Sequence, residues 1–479
     1  MEAGLPADRM TRVNPAPKAG IVHLGLGAFY RAHGAVYTAK AVASSGGDWG
    51  IVGVSLQSPT MRDALAPQGF AYSVLLRGAA GDEAQRIEIV RDVLVAREDP
   101  QAVLEAMVDP AIRIVTLTIT EKGYCHAPAS GALNPDHPDI VHDLSHDLPV
   151  SAPGYLVRAL QMRRARGLAP FTVLSCDNLP ENGPMLRGVV LNLARRIDPA
   201  LADWIADEGR FPATMVDRIV PATKPEDIAR LEDLTGYHDA APVAPEPFSQ
   251  WVIEDDFVAN ARPDWGVAGA ELVADVTPYE HMKLRMLNGT HSALAYLGYL
   301  AGHETIADAM ADPAMVRFVR HLWQSEIIPV LTPPPGVSLS EYAEALAARY
   351  ANPAIRHRTW QIAMDGSQKL PQRILSTVAE TLADGRTCPG LMLAIAAWMR
   401  YVGGVDETGQ PIEVKDPLAA QLRGLSDSAE TASGKVAALL SLRAVFSDAL
   451  AAKLQEPVTQ AYETLLAKGA RVAVQEVAQ

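Results

Sequence analysis

The sequence predicts an α/β protein: an N-terminal domain of alternating strands and helices followed by a mainly α-helical C-terminal domain. Three observations carry this. Short β-rich runs alternate with helical stretches over the first part of the chain, in the order GIVHLGLG, a helix near Ala32 to Ala43, WGIVGVSL, IRIVTLTIT and FTVLSC. A tight Gly-x-Gly turn, Gly25-Leu26-Gly27, follows the first run directly. From about residue 280 the strand pattern stops, and Ala- and Leu-rich segments such as YAEALAARY and LMLAIAAWMRYV take over.

The boundary falls between the Pro-rich stretch APVAPEPF and Glu280. Residues 1–20 are expected to be a flexible leader, 21–275 the α/β domain, and 276–479 the helical domain, with PPPG at 333–336 a loop inside it. Met10 could serve as a start as well as Met1.

Composition excludes several classes. With 48% hydrophobic residues the chain has ample core for folded domains. A net charge of −14 argues against nucleic acid, which demands clustered Lys and Arg, so any anionic ligand needs positive charge concentrated locally. No stretch approaches the roughly 20 apolar residues of a bilayer span, and the first 20 residues lack the apolar core of a signal peptide, so a cytoplasmic protein is expected. Cys125, Cys176 and Cys388 are too few and too scattered for a disulfide framework or a zinc site. Metal-free chemistry is the expectation.

The glycine turn sits where a first strand delivers the chain to a helix and backbone N–H groups can hold a pyrophosphate, which makes the first domain Rossmann-type and dinucleotide-binding. The cofactor contacts are then Gly25, Leu26, Gly27, Ala28 and Phe29. Tyr30 stands where the usual fingerprint has its third glycine. At the end of the second strand, GVSLQSPTMRD has no acid directly after Leu56, while Ser58 and Arg62 could tolerate a phosphate. This strand end does not decide between NAD and NADP.

In EHMKLRMLNGTH, regular helical spacing at about 100° per residue puts Glu280, Lys283, Asn288 and His291 in a sector of roughly 140°, with Met282, Met286, Leu294 and Leu297 opposite. A Glu and a Lys three apart are as often a solvated surface pair. The following SALAYLGYLAG is too apolar for a surface, and a buried lysine must be partnered or functional.

The segments GIVHLGLGAFYRAH, TEKGYC, SCDNLPENG, MVDRIVP and KLRMLNGTHSALAYLGYLAG resemble, in this order, the motifs of the polyol-specific long-chain dehydrogenases, the zinc-independent family of mannitol 2-dehydrogenase and fructuronate reductase. The resemblance implies reversible hydride transfer with Lys283 as general acid and base, a role needing a pKa brought down from about 10.4. It makes Asn288 and Asn178 hydrogen-bond donors to the developing oxyanion, His291 an orienting group and Glu280 a proton relay. Glu121 and Asp217 are implied substrate contacts, against the plain alternative of caps or structural ion pairs.

Within the family, GAFYRAHG, TEKGYC and DGSQKLPQR resemble the fructuronate reductase branch, apart from Tyr30 and Gly34 where His and Gln are common. Lys122, Lys369 and Arg373 suit a carboxylate-bearing substrate, although Lys122 is as readily a surface residue. The expectation is reduction of D-fructuronate to D-mannonate with NADH by a monomer or small homo-oligomer. The alternatives are a mannitol 2-dehydrogenase or other polyol dehydrogenase and, in another class, a catalytically inactive dinucleotide-binding sensor.

Overall fold

A computed structural model describes residues 8–78, 81–127, 131–353 and 356–478. Residues 1–7 of the expected leader lie outside these. Contacts divide the chain into two compact units, Met1–Thr277 and Pro278–Gln479.

The first unit is built on a parallel sheet of β1 (Ala19–Leu24), β2 (Gly50–Ser55), β3 (Val90–Val95), β4 (Ile114–Leu117) and β5 (Thr172–Ser175), in the spatial order β3-β2-β1-β4-β5. That is the doubly wound order, with its switch point between β1 and β4. The strands read as nearly continuous apolar runs because both faces are covered. Val22, Leu24, Val52, Val54, Val115 and Leu117 pack to one side, and Ile21, Ile51 and Ile114 to the other. A smaller sheet joins β6 (Thr214–Asp217), β7 (Gln250–Glu254) and β8 (Glu271–Val273) in the order β8-β7-β6.

One expectation is corrected here. The leader is anchored from Asp8 onward: Asp8–Arg9 pairs with Tyr237–His238, and Met10 is buried. The Arg12 guanidinium donates to the carbonyl oxygens of Gly69, Glu88 and Val90, while the Glu88 carboxylate accepts from the Val13 and Asn14 backbone N–H groups. The helix expected near Ala32 to Ala43 is α2 (Gly34–Ser45), and a short α1 (Ala28–Ala32) precedes it. Between them His33 leaves helical geometry at φ −126° and ψ −90°, where its ring bonds the Gln250 carbonyl at 2.9 Å and packs on Phe29, Tyr37 and Trp251.

β1 carries one polar side chain inward. His23 stacks on Tyr30 with ring centroids 3.3 Å apart, and its nitrogens bond Thr116 Oγ1 at 2.8 Å and the Gly25 carbonyl at 3.1 Å. Burial pushes its pKa down to about 3, so the ring is neutral. Tyr30 in turn lies against Gly34, where an added Cβ would come within 2.5 Å of the ring. The two departures noted at positions 30 and 34 are therefore one packing solution: a larger ring beside a residue with no side chain.

The second unit is helical. Its centre is Pro389–Val402, nearly all of it buried, which explains why LMLAIAAWMRYV is apolar around its whole circumference. Among the described residues no helix is long and apolar enough to cross a membrane.

Gly34→Ala should destabilise the protein by about 1–3 kcal/mol through overpacking against Tyr30. Combining it with Tyr30→His should recover part of that loss. Denaturant melts of the two single variants and the double variant measure the coupling, and strict additivity would refute the pairing.

Candidate active site

The carboxyl ends of the first unit's strands carry the predicted residues. Gly25 follows β1 with φ +89°, and a Cβ there would collide with the Thr118 carbonyl oxygen, so no other residue fits. Its own carbonyl accepts from the Gly27 N–H at 2.6 Å, Thr118 Oγ1 at 2.8 Å and the His23 ring. Above Gly27 the space is open, the nearest atom to an added Cβ being the Gly25 oxygen at 3.8 Å. A rigid turn with open space over its second glycine fits the close backbone approach of a pyrophosphate at the switch point. Leu26 is different: its side chain is buried over Gly53, so only its backbone is left for a ligand. Ala28 and Phe29 lie partly buried on α1.

Asp177, which sequence reasoning missed, organises the rest of this rim. Its carboxylate accepts from the Ile119 N–H at 2.8 Å, the Thr120 N–H at 3.2 Å and the Tyr124 hydroxyl at 2.8 Å. Thr120 is held at φ +61°, a conformation costing a β-branched residue of order 1–3 kcal/mol. One acid thus ties the TEKGY loop to the end of β5 and places Glu121 relative to Asn178. Burial raises the Asp177 carboxyl pKa, and the three hydrogen bonds oppose that rise. The Asn182 amide spans to the next strand, donating to the Asp177 and Thr214 carbonyls and accepting from the Thr214 N–H. The strand that ends in buried Asp217 therefore starts at the same rim.

Asn178 is exposed, and Glu121 is partly exposed with His126 Nε2 3.9 Å from its carboxylate. Lys122 is exposed. Arg218, beside Asp217, is committed to the backbone carbonyls of Glu246 and Ala32.

In the second unit the candidate helix is not regular. Thr277–Met282 and Thr290–Leu300 are α-helical, but Lys283–Gly289 between them is a π-helical turn. On an α-helix Lys283 and Asn288, five residues apart, would diverge by about 140°. The wider i→i+5 turn brings them closer to one face, so the sector is narrower than regular spacing predicts. Backbone oxygens displaced from the normal ladder find other donors. Met286 O accepts from Thr290 Oγ1 at 2.5 Å and Trp323 Nε1 at 2.9 Å, and Leu287 O from the Thr290 N–H and from the Tyr350 hydroxyl at 2.6 Å.

Lys283, Asn288 and His291 are all buried at 6% exposure, while Glu280 is half-buried. Asn288 Nδ2 is buried with no hydrogen-bond partner among the described residues. A buried donor in that state is costly unless a ligand accepts from it. His291 stacks on Tyr350 at 5.1 Å and meets the His357 ring edge-on at 4.8 Å. Burial, together with His357, Arg373, Arg349 and Lys369, holds His291 well below the usual imidazole range, so it acts as a neutral group. His357 is lowered to about 4, chiefly by burial.

Lys369 and Arg373 lie beside this cluster. Lys369 Nζ donates to the carbonyl oxygens of Met364 at 2.5 Å and Ile362 at 3.4 Å, and burial with Arg373 lowers its pKa to about 8. Arg373 Nη1 donates to Ser292 Oγ at 3.1 Å, and desolvation lowers its guanidinium pKa. The approach is possible because Gly289 has no side chain: a Cβ there would lie 2.5 Å from the Arg373 carbonyl oxygen. Arg349, Tyr350 and His357 were missed in the sequence. The only signal was a cationic tail, Arg349-Tyr350, on an otherwise ordinary amphipathic helix.

Comparison with known proteins agrees with both units. Residues 19–267 match the Mannitol dehydrogenase Rossmann domain, and residues 275–466 match the Mannitol dehydrogenase C-terminal domain. The chain belongs to the mannitol dehydrogenase family. Family members similar to it include the D-mannonate oxidoreductase of Escherichia coli K12, 47% identical over 99% of both chains. The Mannitol 2-dehydrogenase of Pyricularia oryzae is 41% identical over 94% of this chain and 91% of its own. Among solved structures, Pseudomonas fluorescens mannitol 2-dehydrogenase, in a ternary complex with NAD and D-mannitol, superposes with a TM-score of 0.86 at 37% identity, covering 98% of this chain and 97% of that one. The protein is accordingly an oxidoreductase of this family.

Tyr350→Phe should leave the buried Leu287 carbonyl without its side-chain donor. Because the Thr290 N–H remains on that oxygen, a stability loss of about 0.5–1.5 kcal/mol in denaturant unfolding is expected, together with a lower kcat as the π-helical turn loosens. An unchanged unfolding midpoint would show that the hydroxyl does not hold the turn.

Proposed function

We propose that this enzyme interconverts D-fructuronate and D-mannonate with NAD, using Lys283 as general acid and base. The observation that carries the reading is the positive charge around His291. Among the described residues, no carboxylate hydrogen-bonds Arg373 or Lys369, whose partners are a neutral hydroxyl and carbonyl oxygens. Asp365 and Asp416 act on Lys369 only through space, and desolvated cations with no carboxylate bonded to them favour an anionic ligand. A hexuronate brings a carboxylate; a hexitol brings none. The 47% identity to a D-mannonate oxidoreductase supports the same choice.

In the reducing direction, bound NADH supplies the hydride. Lys283 donates its ammonium proton to the carbonyl oxygen as that oxygen becomes a hydroxyl, and in reverse the neutral amine removes it. Asn288 Nδ2–H donates to the same oxygen and stabilises the charge that develops there. His291, neutral and wedged between Tyr350 and His357, orients rather than titrates. Glu280, three residues before Lys283, relays the lysine's proton to solvent. Arg373 and Lys369 hold the carboxylate. Asn178, Glu121 and Asp217 are assigned to substrate hydrogen bonds on the family resemblance, and exposed Lys122 is the weakest of the candidates.

Purified protein assayed with NADH should reduce D-fructuronate with a higher kcat/KM than D-fructose or D-tagaturonate. Preference for fructose would overturn the uronate reading in favour of a mannitol 2-dehydrogenase. Lys283→Ala should lower kcat by about 10³-fold or more while leaving the Kd for NADH unchanged. Turnover at the original rate would remove Lys283 from the mechanism.

The Lys369 pKa near 8 adds a pH signature. Lys369 is a cation below that value, so carboxylate binding is fully supported at lower pH and weakens as pH rises through 8. The kcat/KM for fructuronate should therefore fall above pH 8, and Lys369→Arg, always charged, should push that alkaline limb upward. An identical profile in the arginine variant would assign the limb to another group.

A further inference from the structure

The end of β2 leaves cofactor choice open in the sequence, because no acid follows Leu56 directly and Arg62 is close by. In doubly wound folds this strand end meets the adenosine ribose, where a carboxylate bonds the 2′-hydroxyl of NAD or an arginine receives the 2′-phosphate of NADP. β2 ends at Ser55, and the chain then enters the short helix α3 (Thr60–Leu65) that carries Arg62. The neighbouring β3 ends beside it, the Ala96 N–H donating to the Ser55 carbonyl at 2.9 Å. Glu98 follows three residues after Val95.

Arg62 is occupied. Its Nη1 and Nη2 both face the Glu98 carboxylate, the latter at 3.4 Å, and its Nε and Nη2 meet Asp63 Oδ1 at 2.9 Å. All three guanidinium nitrogens therefore point at carboxylates, and the trio has a net charge of −1. A phosphate monoester carries about −1.5 to −2 at neutral pH. To use Arg62 it would have to displace Glu98 and sit beside Asp63.

We propose that Glu98, together with Asp63, withholds Arg62 from a 2′-phosphate and so makes the enzyme select NAD(H) over NADP(H). Glu98 thus brings, from the end of the third strand, a negative charge that the end of the second strand lacks. It is a specificity residue acting through another side chain, and the proposal rests on the dinucleotide-binding reading of the Gly25–Gly27 turn.

The test is direct binding, by calorimetry or coenzyme fluorescence, of NADH and NADPH to the wild-type protein, Glu98→Gln and Glu98→Gln/Arg62→Ala, with melting curves to confirm folding. The wild type should favour NADH by tenfold or more. Glu98→Gln should tighten NADPH about fivefold or more with little change for NADH, and adding Arg62→Ala should abolish that gain. Equal wild-type affinities, an unchanged ratio in Glu98→Gln, or a gain that survives loss of Arg62, as it would if neighbouring Arg97 were responsible, would each overturn the proposal. Binding of neither coenzyme would overturn the dinucleotide reading itself and the proposal with it, whereas NADH binding without altered discrimination overturns the proposal alone.

Discussion

The second unit's chemistry depends on where two displaced carbonyl oxygens find their hydrogen bonds. A π-helical turn at Lys283–Gly289 disrupts the regular α-ladder, and a buried polar group without a partner costs about 1–3 kcal/mol. Thr290 Oγ1 and Trp323 bond Met286 O, and the Thr290 N–H and Tyr350 bond Leu287 O. Trp323 and Tyr350 come from other helices, so the surrounding bundle supports the turn. The same Tyr350 ring stacks on His291, so one side chain both bonds the turn and packs against the candidate site residue beyond it.

The first unit solves a similar problem in another way. Its glycine turn uses a backbone conformation open to glycine at Gly25, and its TEKGY loop holds Thr120 in one that costs a β-branched residue energy. In each case polar groups hold the backbone in place: neutral His23 and Thr118 on the Gly25 carbonyl, and Asp177 on the Ile119 and Thr120 N–H groups. Strain over-determined in this way marks backbone held ready for a ligand.

Electrostatics gives the molecule its second theme. The chain is acidic overall, yet cations gather around His291, with hydroxyl and carbonyl groups bonded to Arg373 and Lys369. At the end of β2 the opposite holds, since Arg62 is paired twice with carboxylates. Whether a cation is neutralised internally separates one that can meet an anionic ligand from one that is held back.

Much was legible in the sequence for a physical reason: strand and helix patterns, the glycine turn and the motif residues are short-range properties of the chain. The alternating runs, Gly25 and Gly27, and the group Lys283, Asn288 and His291 all express local periodicity or local steric need. What only the tertiary structure decided depends on partners distant in the chain. The anchored leader needs Arg12 to reach Gly69 and Val90; the break at His33 needs the Gln250 carbonyl; the π-helical turn needs Trp323 and Tyr350. Arg62 could be read as a phosphate ligand until Glu98 was placed beside it. Sequence determines which chemical groups the protein owns, and the folded chain determines which of them are already satisfied.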